Sequence, residues 1–234
     1  QGYAPEAARA VLRWAMSDSG AALERGIAVT HPAHERSQRV LERSRNVHGA
    51  LTLVERRTEA GLQRLLVDGN TTHGFEHVEG PKVGEPTLYY APETGVGAAF
   101  HALQRRSPRL TVGVIGLGVG TLAAYGRATD RVVFVELNPA VARIARERFS
   151  FLSTSAAAVS VVIGDGRARL AEAAERFDLV VVDAFSSDAI PAHLLTREAM
   201  AVYLSVLRPG GLLARRFPRL RRHRCHPRLR RLHM

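Results

Sequence analysis

Four short segments hold the residues best suited to chemistry. The first is Gly116-Leu117-Gly118-Val119-Gly120, with glycine at every second position. Glycines let a backbone turn tightly and approach a ligand, with a following helix N-terminus aimed at it. A dinucleotide fingerprint, G-x-G-x-x-G, would need glycine where Thr121 stands. The G-x-G-x-G spacing suits a nucleoside carrying a sulfonium instead. Glu136 follows Gly116 by twenty residues, a separation at which an acid ending the second strand accepts both ribose hydroxyls. The plainer reading is a surface acid at the start of the next helix, which Asn138-Pro139 marks; the two readings are compatible. Gly164-Asp165-Gly166-Arg167 places a carboxylate where it receives the exocyclic amine of an adenine or caps a helix. Asp183 and Asp188 lie five apart in Asp183–Pro191. Two carboxylates so placed bind a cation or take a proton from an amine, although a lone Asp at a strand end also serves structure.

These residues act together only if the chain brings them to one rim. Apolar runs occur at Leu110–Ile115, Val132–Val135, Val159–Ile163 and Leu179–Val182. Each is continuous rather than alternating, as in parallel strands buried on both faces. Helical patterns at Thr121–Arg127, Pro139–Arg148, Arg167–Arg176 and Leu194–Leu207 alternate with them. Strand and helix in this order predict a doubly wound α/β domain. Every run ends in one of the four chemical segments, and open α/β sheets bind ligands at that rim. Upstream, Glu93–Arg106 reads as a helix. Ala50–Val54 and Leu62–Val67 flank the turn Glu59-Ala60-Gly61 as a hairpin, and Asp68-Gly69-Asn70 is a second turn signal. Residues 31–48, rich in Arg, Glu, Ser and His, read as a solvated connector, and Glu6–Met16 as an amphipathic helix. The expected layout is an N-terminal helix and connector (1–42), a small β subdomain (43–92), a nucleoside-binding α/β domain (93–214) and an arginine-rich tail (215–234).

Composition narrows the classes. The 234 residues are 46% hydrophobic and 24% charged, a globular balance that excludes wholesale disorder and collagen-like repetition. No run of 18 apolar residues occurs, so no membrane span is expected. Cys225 is the lone cysteine and forms no internal disulfide, which suits a cytoplasmic address. The chain opens on Gln1 without a leader and reads as a processed product or a fragment. Its net charge of +11 is concentrated at one end. Residues 215–234 hold nine arginines and no acid, and the remaining 24 basic and 22 acidic residues leave only +2. The body is therefore not expected to bind nucleic acid.

Residues 43–213 resemble the spermidine synthase (polyamine aminopropyltransferase) family, especially bacterial forms fused behind a membrane-transporter-like half. The resemblance rests on Arg45-Asn46-Val47-His48-Gly49, Val67-Asp68-Gly69-Asn70-Thr71-Thr72-His73-Gly74 and Glu85-Pro86-Thr87-Leu88-Tyr89-Tyr90. It continues through the glycine loop, Phe134–Pro139, Gly164–Arg167 and Asp183–Pro191 to Pro209-Gly210-Gly211. The glycine loop and the acids are shared with methyltransferases; the first three stretches are not. The resemblance implies a sheet of the S-adenosylmethionine-dependent methyltransferase type behind a small β subdomain. It implies aminopropyl transfer from decarboxylated S-adenosylmethionine, as co-substrate, to putrescine or a related small-molecule amine, with no tightly bound cofactor and no metal, in a homo-oligomer. Gly116, Gly118, Gly120 and Gly166 would line the nucleoside site, Glu136 would hold the ribose and Asp165 the adenine. Asp183 matches the catalytic aspartate that deprotonates the amine. Tyr89 and Asp188 would flank the amine.

Three departures stand out. Val119 occupies the loop position where the family carries an aspartate, the D-x-x-D spacing is widened to Asp183 and Asp188, and Thr72 or His73 replaces a glutamine. These changes keep a methyltransferase using S-adenosylmethionine, or an inactive nucleoside-binding module, as alternative readings. After Leu212-Leu213-Ala214 the family's fifth strand and the strands beyond it are not legible. With 32 of the 33 basic residues being arginine, the tail reads as a shifted frame in a GC-rich gene, or else as a phosphate-binding arm.

Overall fold

The computed structural model describes residues 38–69, 71–184 and 191–215. The expected helix at Glu6–Met16 and the tail beyond Arg215 lie outside them. An antiparallel meander comes first, in the order β1 (Gln38–Asn46), β2 (Gly49–Thr58), β3 (Gly61–Asp68) and β4 (Thr71–His77). Thr58 pairs with Gly61 across the Glu59-Ala60 turn, so the expected hairpin forms. Its strands run beyond their apolar centres.

β1 corrects the reading of 31–48 as a connector. Its residues Gln38 to Asn46 pair with Arg56 to Gly49 of β2, yet none of them is buried. This edge strand gives the first core only the partly buried Leu41 and otherwise carries mostly charged and polar side chains, so its sequence looks solvated although its backbone is paired. β4 also lacks a continuous apolar run, because only alternate sections of it meet the core.

Five parallel strands follow: β5 (Thr111–Ile115), β6 (Arg131–Glu136), β7 (Ala158–Ile163), β8 (Phe177–Val182) and β9 (Leu207–Arg215), in the order β7-β6-β5-β8-β9. The strand order, which runs outward from β5 to β7 on one side, restarts on the other side with β8, and this switch point sets the ligand-binding crevice of such sheets at their carboxyl ends. The helices are α1 (Gly95–Arg106), α2 (Pro139–Arg148), α3 (Phe151–Thr154), α4 (Gly166–Ala171) and α5 (Arg197–Ser205). Val112 and Val114 of β5 and Leu179 and Val181 of β8 join Phe100 of α1 and Ile144 of α2 in one core. Ile115, Val180 and Val182 point the other way, to Leu170 of α4 and Tyr203 of α5. Burial on both faces is the reason β5 and β8 read as unbroken apolar runs; β7, expected to be buried likewise, is an edge strand with no fully buried residue and leaves Val162 and Ile163 exposed. Leu51, Leu53 and Leu66 of the small sheet belong to the first core.

Three expected helices are shorter than their sequence patterns. Thr121–Arg127 is a 3₁₀ turn over Thr121–Tyr125. The N–H of Arg127 that would continue an α-helix donates to Asp130 Oδ2 (3.0 Å) instead. The carbonyl of Ala123 takes the Ser155 hydroxyl at 2.7 Å. Arg167–Arg176 shortens to α4. Leu194–Leu207 divides into a 3₁₀ turn, Ala192–Leu194, and α5, because Thr196 caps a new helix by accepting from Ala199 N at 3.2 Å.

A fifth strand is present, against expectation. Leu212, Leu213 and Ala214 pair in parallel with Leu179, Val180 and Val181, while Leu207 pairs with Phe177. The irregularity between these pairs absorbs Arg208-Pro209-Gly210-Gly211, whose turn-like composition hides the strand in the sequence. Among the described residues no helix is long and apolar enough to cross a membrane.

Candidate functional site

A cavity of about 330 Å³ opens where the carboxyl ends of the parallel strands face the small sheet. Gly116 and Gly118 line it in left-handed backbone, φ +94° and +56°. A Cβ on Gly116 would lie 2.6 Å from the Asp183 carbonyl, and one on Gly118 2.6 Å from the His73 carbonyl. The loop is thus wedged between the end of β8 and β4, which leaves no room for a side chain at either position. Gly120 ends the loop as the cap of the 3₁₀ turn, and Gly166 lines the cavity at the start of α4.

Glu136 ends β6 on the cavity wall. Its Oε2 accepts from Leu117 N at 2.9 Å and its Oε1 from Asn138 N at 2.8 Å. Burial pushes its pKa above the ordinary glutamate value, and backbone donation by Asn138, Leu117 and Leu137 only partly offsets this. Each oxygen keeps further acceptor capacity. Asn138 caps α2 by accepting from Ala140 N at 3.0 Å, so the two plain readings of Glu136-Leu137-Asn138 coexist. Asp165 is both cap and cavity wall. Its Oδ1 accepts from Ala168 N and its Oδ2 lies 2.9 Å from His193 Nε2. Burial opposes its charge, but Ala168 and His193 together hold its pKa below the ordinary aspartate value.

Asp183 is buried at the end of β8, and Tyr90 donates its hydroxyl to Asp183 Oδ2. Tyr90 ends the 3₁₀ turn Leu88–Tyr90 and is itself buried. Thr87 holds that turn by donating to the Phe75 carbonyl at 2.5 Å. Leu88 takes φ +57°, a left-handed conformation costly for a branched residue. Tyr125 donates to the Tyr90 carbonyl, and burial, aided by Glu93, raises its pKa to about 12, so the donor persists at neutral pH. Tyr89, the tyrosine singled out by sequence, donates to the Thr72 carbonyl at 3.3 Å. Its neighbour in the same motif is the one that reaches Asp183. Asp188 lies outside the described residues.

The small sheet supplies the opposite wall. Asp68 accepts from Ala50 N at 3.0 Å, and its Oδ2 lies 3.9 Å from His73 Nε2. Asn46 donates to Asn138 Oδ1 at 2.7 Å, fastening the β1–β2 turn to the start of α2. Val119 does not line the cavity. It is 1% exposed and packs so closely on β4 that a Cβ on Gly74 would lie 2.6 Å from it.

Sequence reasoning missed Tyr90, His193 and the Asn46–Asn138 link. A paired tyrosine motif and a histidine ten residues after Asp183 were the available signals. Among the described residues no group of three or more His, Cys, Asp and Glu side chains is arranged to hold a metal ion. The described lining contains Asp68, Glu136, Asp165 and Asp183, with three histidines and no lysine or arginine. In a chain of net charge +11, this cavity is the acidic exception.

The family described as an acetyltransferase (GNAT) domain matches residues 1–45, a stretch that contains none of the described cavity lining. The chain is similar to a probable polyamine aminopropyl transferase of Bifidobacterium longum, 26% identical over 153 residues, 64% of this chain and 32% of that protein. It is also similar to a polyamine aminopropyltransferase of Vibrio vulnificus, 31% identical over 106 residues, 43% of this chain and 35% of that protein. It therefore spans about a third of the length of the curated relatives it matches. Spermidine synthase from Thermotoga maritima superimposes with a TM-score of 0.56 at 17% identity, over 83% of this chain and 67% of that one. The two share the fold, which in this chain is a parallel five-stranded sheet of the methyltransferase type behind a small antiparallel sheet.

Proposed function

We propose that this cavity transfers an aminopropyl group from decarboxylated S-adenosylmethionine to a small amine, putrescine or a close relative. The observation that carries the proposal is Asp183, which lines a cavity whose described lining holds four carboxylates and no lysine or arginine, and to which the buried Tyr90 donates its hydroxyl. Such a lining attracts a sulfonium and an aminium. Among the described residues it offers no lysine or arginine to the carboxylate of intact S-adenosylmethionine, which favours the decarboxylated donor. The names of the curated relatives point the same way.

In this reading Glu136 uses the remaining acceptor sites of its two oxygens for the ribose hydroxyls, and Asp165 receives the adenine amine. Gly116, Gly118 and Gly166 let the nucleoside approach the backbone. Asp183 holds the acceptor aminium. The Tyr90 hydroxyl holds the Asp183 Oδ2 in place. The amine nitrogen then attacks the methylene carbon attached to sulfur. The C–N bond forms and the C–S bond breaks, with its electron pair passing to sulfur. The sulfonium becomes a neutral thioether, and the surplus proton passes to Asp183. An amine of pKa about 10 is no nucleophile while protonated, and general-base help contributes about 10²–10⁴ in rate. Alignment of nitrogen, carbon and sulfur supplies much of the remainder. Tyr89 and Asp188 are assigned to the amine side.

Val119 favours a second reading, methyl transfer from S-adenosylmethionine, because the loop lacks an acid for an aminopropyl amine. Calorimetry with the decarboxylated donor, S-adenosylmethionine and methylthioadenosine separates the two. Tighter binding of the decarboxylated donor, with spermidine formed from putrescine, is expected. Preference for the carboxylated donor would transfer the site to methyl transfer, and no binding of any of the three would leave an inactive module.

A further inference from the structure

We propose that His193 is a positioning residue that makes the cavity selective for a 6-amino purine, acting through Asp165. The inference rests on the nucleoside reading given above, to which it adds the device that sets base specificity.

Asp165 has two oxygens and about four acceptor sites. One site on Oδ1 is committed to Ala168 N at 2.9 Å, and one on Oδ2 to His193 Nε2 at 2.9 Å. The carboxylate is therefore held from both sides, and its remaining acceptor sites have fixed directions. An exocyclic amine placed there donates to a charged acceptor. A 6-oxo group placed there meets the carboxylate acceptor to acceptor, and a site built to accept a donor rejects a ligand that lacks one.

The histidine is itself held in place. It sits in the 3₁₀ turn Ala192–Leu194, and the next side chain, Leu194, is buried. Tyr203 of α5, fully buried, donates its hydroxyl to the Leu194 carbonyl at 3.2 Å. Burial, with the charge of Asp165, raises the Tyr203 pKa to about 12, so this donor is present throughout the neutral range. The chain of contacts runs from the core to the base: Tyr203, the Leu194 carbonyl, His193, Asp165. Arg167, in the helix that Asp165 caps, acts on Tyr203 in the opposite sense. His193 is about half exposed and belongs to neither core cluster, so replacing it spares the packing.

The test is calorimetry on the full chain with methylthioadenosine and its 6-oxo counterpart, methylthioinosine, across pH. The ratio of the two affinities cancels the ribose contribution of Glu136, which both ligands share. Wild-type protein should favour the 6-amino ligand. His193→Ala should lower that ratio about tenfold, the scale of one hydrogen bond to a charged group, with little change for the 6-oxo ligand. It should also shift the acid limb of the ratio upward, because the Asp165 carboxylate loses a donor that favours its charge. His193→Gln, which restores an N–H donor, should recover most of the ratio. Tyr203→Phe should lower it by about twofold, a fraction of one neutral hydrogen bond. An unchanged ratio and acid limb in His193→Ala, with wild-type protein discriminating, overturns the role of His193 and leaves the nucleoside reading intact. Failure of wild-type protein to bind either ligand overturns both.

Discussion

The two walls of the cavity are built on different principles. On the parallel-sheet wall, Glu136 ends β6 and Asp165 follows β7, and each accepts from a backbone N–H at the helix start beyond it, Asp165 being held by His193 as well. On the antiparallel wall, the polar groups sit in turns and at a strand edge, where side-chain pairs add to backbone donation: Asn46 reaches across to Asn138 of the facing wall, and His73 lies beside Asp68, which also accepts from Ala50 N. Backbone anchoring needs only a carboxylate at the end of the right strand. Side-chain anchoring needs matched pairs, so a change at one member calls for a change at another. The departures from the family pattern fall accordingly. Thr72 or His73 and Val119 lie where the small sheet meets the glycine loop, the widened Asp183–Asp188 spacing falls on a segment outside the described residues, and Glu136, Asp165 and Asp183 keep the types that the resemblance implies.

The hardest test of this contrast is Val119→Asp, which installs the acid that the resembled family carries at this loop position. Val119 is buried against Gly74 rather than open to the cavity, so the added carboxylate should be an unpaired buried charge costing about 3–5 kcal/mol of stability. Denaturant unfolding measures this, and a stable, more active variant would show that the loop tolerates the family's pairing after all.

Asp183→Asn is next. Turnover should fall by about 10²-fold or more while methylthioadenosine affinity stays nearly constant, since the amide keeps the shape and cannot take the proton. Undiminished turnover would remove Asp183 from the chemistry. Tyr90→Phe and Tyr89→Phe form a matched pair. Loss of a hydrogen bond to a charged group costs about 1.5–3 kcal/mol, so Tyr90→Phe should reduce turnover by at least about tenfold. Tyr89→Phe, whose hydroxyl meets a neutral carbonyl, should cost about 0.5–1.5 kcal/mol. Reversal of that order in steady-state kinetics would return the sequence's choice of tyrosine.

Glu136 predicts a pH dependence. Its pKa is raised in the folded protein by burial, and only the charged form offers acceptors to both ribose hydroxyls. Nucleoside affinity should therefore begin to fall at a pH above the ordinary glutamate range, and Glu136→Gln should flatten that limb. For stability the sign is opposite. A raised folded-state pKa means that the folded protein binds the proton more readily, so this group's stabilising contribution is present below its unfolded pKa and is lost as pH rises through the folded one. The smallest effect expected is that of Asn46→Ala. It removes one link between the walls, about 0.5–1.5 kcal/mol, and should raise the amine KM a few-fold without changing nucleoside affinity.

The sequence by itself determined the parallel sheet and its rim. Valine and isoleucine runs at β5, β6 and β8, buried on both faces, carry their pattern without reference to the rest of the chain. The glycine spacing at 116, 118 and 120 and the acids Glu136, Asp165 and Asp183 are local in the same sense, because each sits at the end of its own strand. Tertiary structure alone decided what depended on a distant partner. β1 is mostly charged and polar because this edge strand gives little to the core. β9 is interrupted by Pro209-Gly210-Gly211 because a bulge can be absorbed beside β8. Tyr90 rather than Tyr89 reaches Asp183 across 93 positions of chain. His193 meets Asp165 across 28. Val119 turns away from the cavity because Gly74 makes room for it. Local periodicity reports the environment of one element; a hydrogen bond between two elements is set by how they pack, and no single stretch of sequence carries that information.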